Sequence, residues 1–185
     1  MRGRLPGDSN DRQARYIEAA VNGVLIACIY LPNGNPQPGP KFDHKLAWFD
    51  RLIKHAATIK KADVPAVLAG DLNVVPTERD IYPRHSYGND AMLQMQSRKA
   101  FARLMRQGWM DAMCKLNPTE PKYSYWSYPR DRWPRDAGLR LDYLLLSPSI
   151  SSQLTCGGVD RWMRGEAGAS DHAPVWVDFK QPHRS

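Results

Sequence analysis

The alternation of apolar and polar residues near the start of the chain predicts a β-hairpin. Residues 13–20 and 24–31 are two apolar-rich segments, and the Asn22-Gly23 dipeptide between them is typical of two-residue hairpin turns. The next segment, PNGNPQPGP at 32–40, contains too much proline and glycine to continue a strand. We therefore predict strand, turn, strand and loop over this part of the chain.

A helical period replaces the strand period after this loop. Phe42, Leu46, Phe49 and Ile53 recur at the spacing of one helix face, which predicts a long amphipathic helix. The lysines of this stretch lie off that face, so we expect a solvated surface for Lys45, Lys54, Lys60 and Lys61.

The rest of the chain mixes short strands with one more helix. Ser97 is placed to cap a helix over 98–107, and Gly108 is placed to end it. Short, mostly apolar segments predict strands at 66–69, 139–146, 153–155 and 174–179. Because hairpins occur beside helical crossovers, the pattern favours a layered α/β or α+β sandwich over a purely parallel sheet.

Composition limits the classes of protein that fit. The 185 residues suffice for one domain with a hydrophobic core, and the 42% hydrophobic content excludes a disordered chain. No apolar run approaches the roughly 20 residues of a membrane span, and the N-terminal stretch MRGRLPGDSNDRQARY has no apolar signal-peptide core. Three widely spaced cysteines, Cys28, Cys114 and Cys156, fit a reduced, cytoplasmic protein and are expected in or near the core.

The chain is basic without having a basic tail. Its net charge of +7 and its pI of about 9.5 favour a polyanionic partner, nucleic acid first. No long run of like charges occurs, so the positive charge must be spread over a folded surface.

Candidate chemistry lies where apolar segments end. In LAGDLN, residues 68–73, an apolar strand runs into Asp71 and Asn73, and an extended chain would point both side chains to one side. Strand ends of α/β sheets are where sites are usually built. Asp and Asn are also favoured in turns and caps, so this stretch taken alone is explained as a turn.

Three more stretches share this peculiarity: IYLPNG with Tyr30 and Asn33, LRLDYLLL with Asp142, and SDHAPV with Asp171 and His172. Each has an ordinary structural explanation. Tyr30 fits a strand aromatic, and Asp142 fits a salt bridge with Arg140. Asp171 fits a turn, and His172 fits a partly exposed strand position.

Taken together, these residues suit metal-assisted attack on a phosphodiester. Mg²⁺ prefers oxygen ligands and usually keeps several waters, so one or two carboxylates suffice. A carboxylate can orient or deprotonate the attacking water, and a histidine beside the phosphate works best when a second acid orients it. Asn amides, a Tyr hydroxyl and the metal can stabilise the charge that builds on the phosphoryl oxygens.

The ordered motifs IYLPNG, GDLN, LRLDYLLL and SDHAPVW resemble those of the exonuclease III family of abasic-site endonucleases and 3′ exonucleases. That family belongs to the endonuclease/exonuclease/phosphatase superfamily, and the resemblance covers about residues 11–179. It implies a four-layer α/β sandwich, two packed mixed sheets flanked by helices, in one domain over residues 1–185. It also implies Mg²⁺, with Mn²⁺ as a substitute, and duplex DNA with abasic sites or 3′ ends as the partner. We expect a monomeric cytoplasmic protein with no membrane partner.

The resemblance implies a role for each motif residue. Asp71 would position or deprotonate the attacking water, and Asn73 would orient the same assembly. His172 would contact the scissile phosphate with Asp142 as its orienting partner. Tyr30 would support that phosphate, Asn33 would bind it, and the metal ligands would come from Asp71, Asn73, Asp171 and His172.

An aromatic and basic stretch at 123–138 is implied to bind DNA. Tyr125, Trp126 and Leu139 match positions that line the family's pocket for the extrahelical abasic sugar. Four side chains could contact the DNA backbone or wedge into the duplex: Arg130, Arg132, Trp133 and Arg135. Tyr125 and Trp126 are equally well explained as core residues of a strand.

Two features of the family have no counterpart in the sequence: an Asn on the first strand and a metal-binding Glu on a later one. The resemblance therefore predicts a domain incomplete at its N-terminus, without the first strands and a helix. Mg²⁺ should then bind weakly. The open sheet should expose apolar surface, which lowers stability and favours aggregation.

Three functions remain as hypotheses. The leading one is a Mg²⁺-dependent DNA-repair nuclease of the exodeoxyribonuclease III type. The alternatives are a catalytically impaired nucleic-acid-binding remnant and a phosphatase acting on a small phosphorylated molecule. Mg²⁺-dependent cleavage separates the first from the second, and a steep salt dependence of DNA binding separates both from the third.

Overall fold

The computed structural model describes residues 1–120 and 122–180 as a mixed α/β fold with two sheets. The larger sheet has the order β1-β2-β3-β5-β4 and contains β1 (Tyr16–Val21), β2 (Val24–Tyr30), β3 (Ala66–Asp71), β4 (Met110–Asp111) and β5 (Asp142–Leu146). The smaller sheet pairs β6 (Leu154–Val159) with β7 (Val175–Phe179). The helices are α1 (Pro40–Lys61), α2 (Met95–Met105), α3 (Ala112–Leu116) and α4 (Pro148–Ser151). Two sheets flanked by helices agree with the predicted fold class.

The predicted hairpin is confirmed, and it starts a mixed sheet. β1 and β2 are antiparallel, and the turn residues Asn22 and Gly23 have φ of 49° and 82°, the left-handed values that tight hairpin turns require. β2 runs parallel to β3 with α1 between them in the chain, and β3 runs antiparallel to β5.

The two faces of the larger sheet are covered by different elements. On one face, Ile29, Leu68 and Leu145 belong to the main core, together with residues of α1 and α2: Trp48, Phe49, Leu52, Ala56, Ala100, Phe101 and Leu104. On the other face, the β3 and β5 side chains pack against the smaller sheet, and this cluster includes Val67, Leu146, Leu154, Val177 and Phe179.

The second face is open where β1 and β2 form it. Ile17, Val21 and Ile26 are 46%, 49% and 39% exposed. Cys28 lies in the same part of β2 and is exposed too, as are Cys114 and Cys156. The expectation that the cysteines pack in or near the core is therefore wrong. The reason for Cys28 is that the smaller sheet covers this face only over β3 and β5.

Helix α1 is where the sequence prediction failed most informatively. Phe42 and Phe49 are buried as predicted, but Leu46 and Ile53 are only partly buried. The buried stripe runs instead through Phe42, Lys45, Trp48, Phe49, Leu52, His55, Ala56 and Ile59. Lys45, expected in solvent, has no exposed surface.

Two predicted boundaries also move. Helix α2 begins at Met95, so Ser97 lies within its first turn, and its hydroxyl donates to the Ala91 carbonyl oxygen at 2.7 Å instead of capping the helix. Strand β5 begins at Asp142, because Leu139 instead forms isolated bridges with Ile81 and Tyr125. In the described residues, no helix has the length and apolarity needed to cross a bilayer.

The open part of the sheet predicts self-association, in contrast to the monomer expected from the resemblance. We expect the purified protein to associate at increasing concentration and Ile26→Lys to weaken that association about tenfold, because it replaces exposed apolar surface by a charge. Sedimentation velocity over a concentration series measures this, with Ala57→Lys on the exposed side of α1 as the matched control. A monomeric mass at every concentration, together with a sharp and reversible thermal transition, would contradict both this prediction and the expected low stability.

Candidate active site

Strand register sets three of the predicted catalytic side chains in one row. Tyr30 ends β2, Asp71 ends β3 and Asp142 begins β5. Tyr30 pairs with Asp71, and Asp71 pairs with Asp142. Paired residues on neighbouring strands point to the same face about 4.8 Å apart. The row therefore brings a phenol and two carboxylates together at one end of the sheet.

Gly70 explains why the motif before Asp71 contains a glycine. Its φ of 130° is unfavourable for other residues, and a Cβ built on it would lie 2.1 Å from the Ile29 carbonyl oxygen. The backbones of β2 and β3 can approach at this position only without a side chain. The glycine thus fixes the strand end that carries Asp71.

Asn73 meets Asp71, although not for the reason the sequence suggested. The strand ends at Asp71, and Asn73 has a φ of 43°, so the alternation of an extended chain does not apply. The Asn73 backbone N–H donates to Asp71 Oδ1 at 2.7 Å, and its Nδ2 donates to Asp71 Oδ2 at 2.9 Å and to the Leu31 carbonyl oxygen at 2.8 Å. Asn73 therefore holds both oxygens of the carboxylate.

Asp142 and His172 form a hydrogen-bonded pair. His172 Nδ1 lies 2.8 Å from Asp142 Oδ2. Burial alone would lower the pKa of His172, but the hydrogen bond and the charge of Asp142 outweigh it and raise that pKa above its usual value. The imidazole is therefore oriented by Asp142 and stays protonated to higher pH than a free histidine.

The alternative partner for Asp142 is excluded. Arg140 is buried and faces away from this pair, donating from Nε to Asp80 Oδ1 at 2.7 Å and from Nη1 to Asp111 Oδ2 at 2.5 Å. This places the Arg140 guanidinium in a structural ion network and leaves Asp142 free to hold His172.

Residues 124–126 join the two segments that carry the pair. The buried Ser124 hydroxyl oxygen accepts from the Leu141 and Asp142 backbone N–H groups at 3.2 and 3.1 Å. The Ala173 N–H donates to the Ser124 carbonyl oxygen, and the Trp126 N–H donates to the Asp171 carbonyl oxygen, both at 2.8 Å. Part of the aromatic stretch thus has a structural task that its sequence did not reveal.

Asp71 is a partly buried acid that lies beside a second carboxylate, Asp142. Burial, the largest cause, and the neighbouring Asp142 carboxylate together raise its pKa to about 7 against the opposing effects of Asn73, His172 and Lys45. A divalent cation would relieve this repulsion, so the carboxylates of the site fit a hard metal ion. Within residues 1–120 and 122–180, no three acidic, His or Cys side chains are grouped to hold one. The protein would supply one or two ligands, and water and phosphate oxygens the others.

The site opens into a cleft of about 500 Å³. Eight of the predicted site residues line it: Tyr30, Asn33, Asp71, Asn73, Tyr125, Asp142, Asp171 and His172. Asn33 Nδ2 donates to Asn73 Oδ1 at 3.2 Å, which ties the loop after β2 to the loop after β3. The Tyr125 ring packs against the His172 ring at 4.8 Å between centroids.

Three predicted DNA-binding residues are buried and do not line the cleft. Trp126 is fully buried against Trp133 and donates from Nε1 to Asp136 Oδ1 at 3.1 Å, so the core explanation is right for it. Leu139 is also fully buried, in a cluster behind the cleft wall. Arg132 is buried with its guanidinium 4.3 Å from the centroid of the Tyr87 ring.

Arg130 differs from these three. It is exposed on the loop, where its Nη1 lies 3.2 Å from Ser86 Oγ. Its proposed contact with DNA therefore remains a prediction, whereas Arg132 is placed to support Tyr87.

Sequence reasoning missed five residues of the site. Four line the cleft, namely Tyr87, Asp90, Met92 and Leu141. The fifth, Lys45, lies beneath it, and burial lowers its pKa to about 8 against the attraction of Asp71 and Asp90. The irregular sequence around 87–92 carried no signal for a cleft wall. Lys45 did carry one, since it lies three residues after Phe42 and four before Phe49 on the apolar stripe.

Comparison with known proteins gives matches over most of the chain. The model of the endonuclease/exonuclease/phosphatase family matches residues 3–172. The exodeoxyribonuclease of Bacillus subtilis is 29% identical over 169 residues, which cover 91% of this chain and 65% of that protein. Exodeoxyribonuclease III of Haemophilus influenzae is 28% identical over 192 residues, with 97% and 72% covered.

Solved structures give the same result. The 3′ phosphatase NExo from Neisseria, bound to a product DNA hairpin, superposes with a TM-score of 0.92 at 30% identity, covering 97% of this chain and 70% of that one. An AP endonuclease from Archaeoglobus fulgidus gives 0.88 at 25% identity, with 94% and 68% covered.

The fold brings acids, amides and a histidine together in one cleft. The chain belongs to the endonuclease/exonuclease/phosphatase family. This family is metal-dependent. The chain spans about two thirds of the length of the relatives it matches.

Replacing Asp142 should change the titration of His172. In Asp142→Asn the accepting carboxylate is lost, so the pKa of His172 falls relative to the unchanged protein, although the Asp71 and Asp171 carboxylates still raise it. His172 then loses its proton at lower pH than in the unchanged protein. An NMR titration of the imidazole C–H signals measures this, with Asp131→Asn on the exposed loop as the control. An unchanged His172 titration in a folded Asp142→Asn protein would show that the pair does not set it.

Proposed function

We propose that this chain carries the active site of a Mg²⁺-dependent DNA-repair nuclease of the exodeoxyribonuclease III type. Its reaction would be hydrolysis of phosphodiester bonds at abasic sites and at 3′ ends of duplex DNA. The observation that carries the proposal is the row Tyr30-Asp71-Asp142, with Asn73 on one carboxylate and His172 on the other.

Asp71 would act on the attacking water. A carboxyl group with a pKa of about 7 is a stronger base than an ordinary carboxylate and is still ionised in part at neutral pH. Asn73 keeps both carboxylate oxygens in place, which orients the remaining lone pairs. Asp71 would accept a proton from the water while the water oxygen attacks phosphorus. The bond between phosphorus and the leaving oxygen would break on the opposite side.

Donors around the row would meet the charge that develops on the phosphoryl oxygens. These donors are Tyr30, Asn33 and His172. Only the protonated His172, which Asp142 holds in place, carries a positive charge. Tyr30 and Asn33 reach the same cleft from β2 and the loop after it. Of the four expected metal ligands, Asp71, Asn73, Asp171 and His172, the carboxylates Asp71 and Asp171 would hold Mg²⁺, or Mn²⁺ in its place, because a protonated His172 has no lone pair for it. The ion would add Lewis acidity.

DNA as the substrate is supported by charge and by the relatives. The net charge of +7 favours a polyanion, and the cleft is open and lined by Tyr87, Tyr125 and Met92 beside the polar row. The relatives carry the names exodeoxyribonuclease, AP endonuclease and 3′ phosphatase. All three reactions need one phosphoryl group in one site, so they are alternative substrates for the same residues.

The first test is cleavage of three duplex oligonucleotides with Mg²⁺ or EDTA. One carries an internal abasic site, one a 3′ phosphate and one a plain recessed 3′ end. We expect Mg²⁺-dependent hydrolysis that Asp71→Ala lowers by roughly 10²- to 10⁴-fold, because the base for the attacking water is lost. Asp43→Ala, an exposed acid on α1, is the matched control.

The substrate that is cleaved fastest assigns the dominant activity. Cleavage that persists in Asp71→Ala would refute the role of this carboxylate. A folded protein that binds the duplexes but cleaves none of them would favour the alternative of a catalytically impaired nucleic-acid-binding protein.

Salt dependence separates DNA binding from phosphatase action on a small molecule. We expect the affinity for an uncleaved duplex to fall about 100-fold or more between about 50 and about 200 mM salt, because phosphate contacts release condensed counterions. Fluorescence anisotropy in EDTA measures the affinity without cleavage. A flat salt response, with hydrolysis of a small phosphate monoester, would favour the phosphatase.

A further inference from the structure

Lys45 is a fully buried cation directly beneath the site. Its side chain leaves the second turn of α1, and its Nζ donates to the Asn33 carbonyl oxygen at 3.0 Å and to the Asn73 carbonyl oxygen at 2.5 Å. These two carbonyls belong to the loops after β2 and β3. One ammonium group therefore bridges the two loops that deliver amides to the cleft.

The surroundings of Lys45 are built for a charged group. An ammonium without partners is very costly to bury, and the two carbonyl oxygens and the nearby carboxylates Asp71 and Asp90 offset that cost. A neutral apolar side chain would fill the same space without needing hydrogen-bond partners or nearby carboxylates. The partners of this buried charge are backbone carbonyls of site residues.

Gly34 gives this side chain its path. A Cβ on Gly34 would lie 2.6 Å from Lys45 Cδ and 3.2 Å from the Ala91 Cβ, and its φ is 91°. Asn33 and Gly34 therefore wrap closely around the lysine stem. A larger residue at position 34 would therefore displace the lysine stem or the loop that carries Asn33.

We propose that Lys45 is a positioning residue that fixes the spacing between Asn33 and the Asn73-Asp71 pair. With the bridge in place, Asn33 Nδ2 also donates to Asn73 Oδ1, and both residues line the same cleft. This inference rests on the proposed nuclease function for its consequence in catalysis. Its structural part, a clamp between two loops, is independent of the substrate.

The structural part is tested by amide hydrogen exchange. In Lys45→Met, which keeps the length of the side chain and removes its charge and donors, we expect roughly tenfold faster exchange in segments 31–36 and 72–75, because the free energy of local opening falls. Exchange in β6 and β7 should not change. Lys54→Met, an exposed lysine on the same helix, should match the unchanged protein everywhere.

The catalytic part is tested by turnover on whichever DNA substrate is cleaved. We expect Lys45→Met to lower kcat by roughly 10- to 100-fold, as removal of a residue that holds functional groups usually does, with KM changed less than about twofold. In an Asn33→Ala background the same substitution should cost less, because part of what Lys45 holds is already absent.

The outcomes are distinct. Unchanged exchange in both loops, or faster exchange with unchanged kcat, would overturn the inference. Equal losses from Lys45→Met with and without Asn33 would also count against it. If Lys45→Met does not fold, Lys45→Gln, which keeps one donor group, is held to the same criteria. If the unchanged protein cleaves no DNA, the proposed function fails while the exchange result still decides whether Lys45 is a clamp.

Discussion

Two carboxylates side by side at the end of a sheet are the constraint around which this site is organised. The register of β3 against β5 pairs Asp71 with Asp142, and burial together with the Asp142 charge raises the pKa of Asp71. Each acid therefore needs a partner of its own. Asp142 has His172, whereas Asp71 has the neutral donors of Asn73. Asp142 therefore orients the His172 imidazole, whereas the protonation of Asp71 depends on the charge of a ligand that enters the cleft.

Two residues that are distant in the chain, Ser124 and Lys45, hold the backbone of the site segments in place. The Ser124 hydroxyl binds the amides that carry Asp142, and its carbonyl binds the amide after His172. Lys45 reaches carbonyls of the other two loops from below. The cleft is thus held by a cation and a hydroxyl that never reach its surface. Such groups can be as sensitive to substitution as the residues that touch the substrate.

The second face of the larger sheet is covered only in part. The smaller sheet buries the second face over β3 and β5, next to the site, while Ile17, Val21 and Ile26 on β1 and β2 stay open. The solved relatives are longer than the part that superposes on this chain. The row of site residues lies at the boundary between the covered and the open parts, since Tyr30 ends an open strand and Asp142 begins a covered one.

The sequence by itself predicted the hairpin, a layered sandwich that is not purely parallel and the polar residues that line the cleft, because turn dipeptides and apolar segments that end in acids, amides and histidine are local patterns. Folding decided which partners those residues meet. Asp142 pairs with His172 and not with Arg140, because the Arg140 guanidinium is hydrogen-bonded to Asp80 and Asp111. The local sequence around Asp142 does not predict this pairing. Lys45 was predicted to be solvated, and this was wrong because two carbonyl oxygens distant in the chain, those of Asn33 and Asn73, accept hydrogen bonds from its buried ammonium group. Such long-range compensation of buried charge exists only in the tertiary structure.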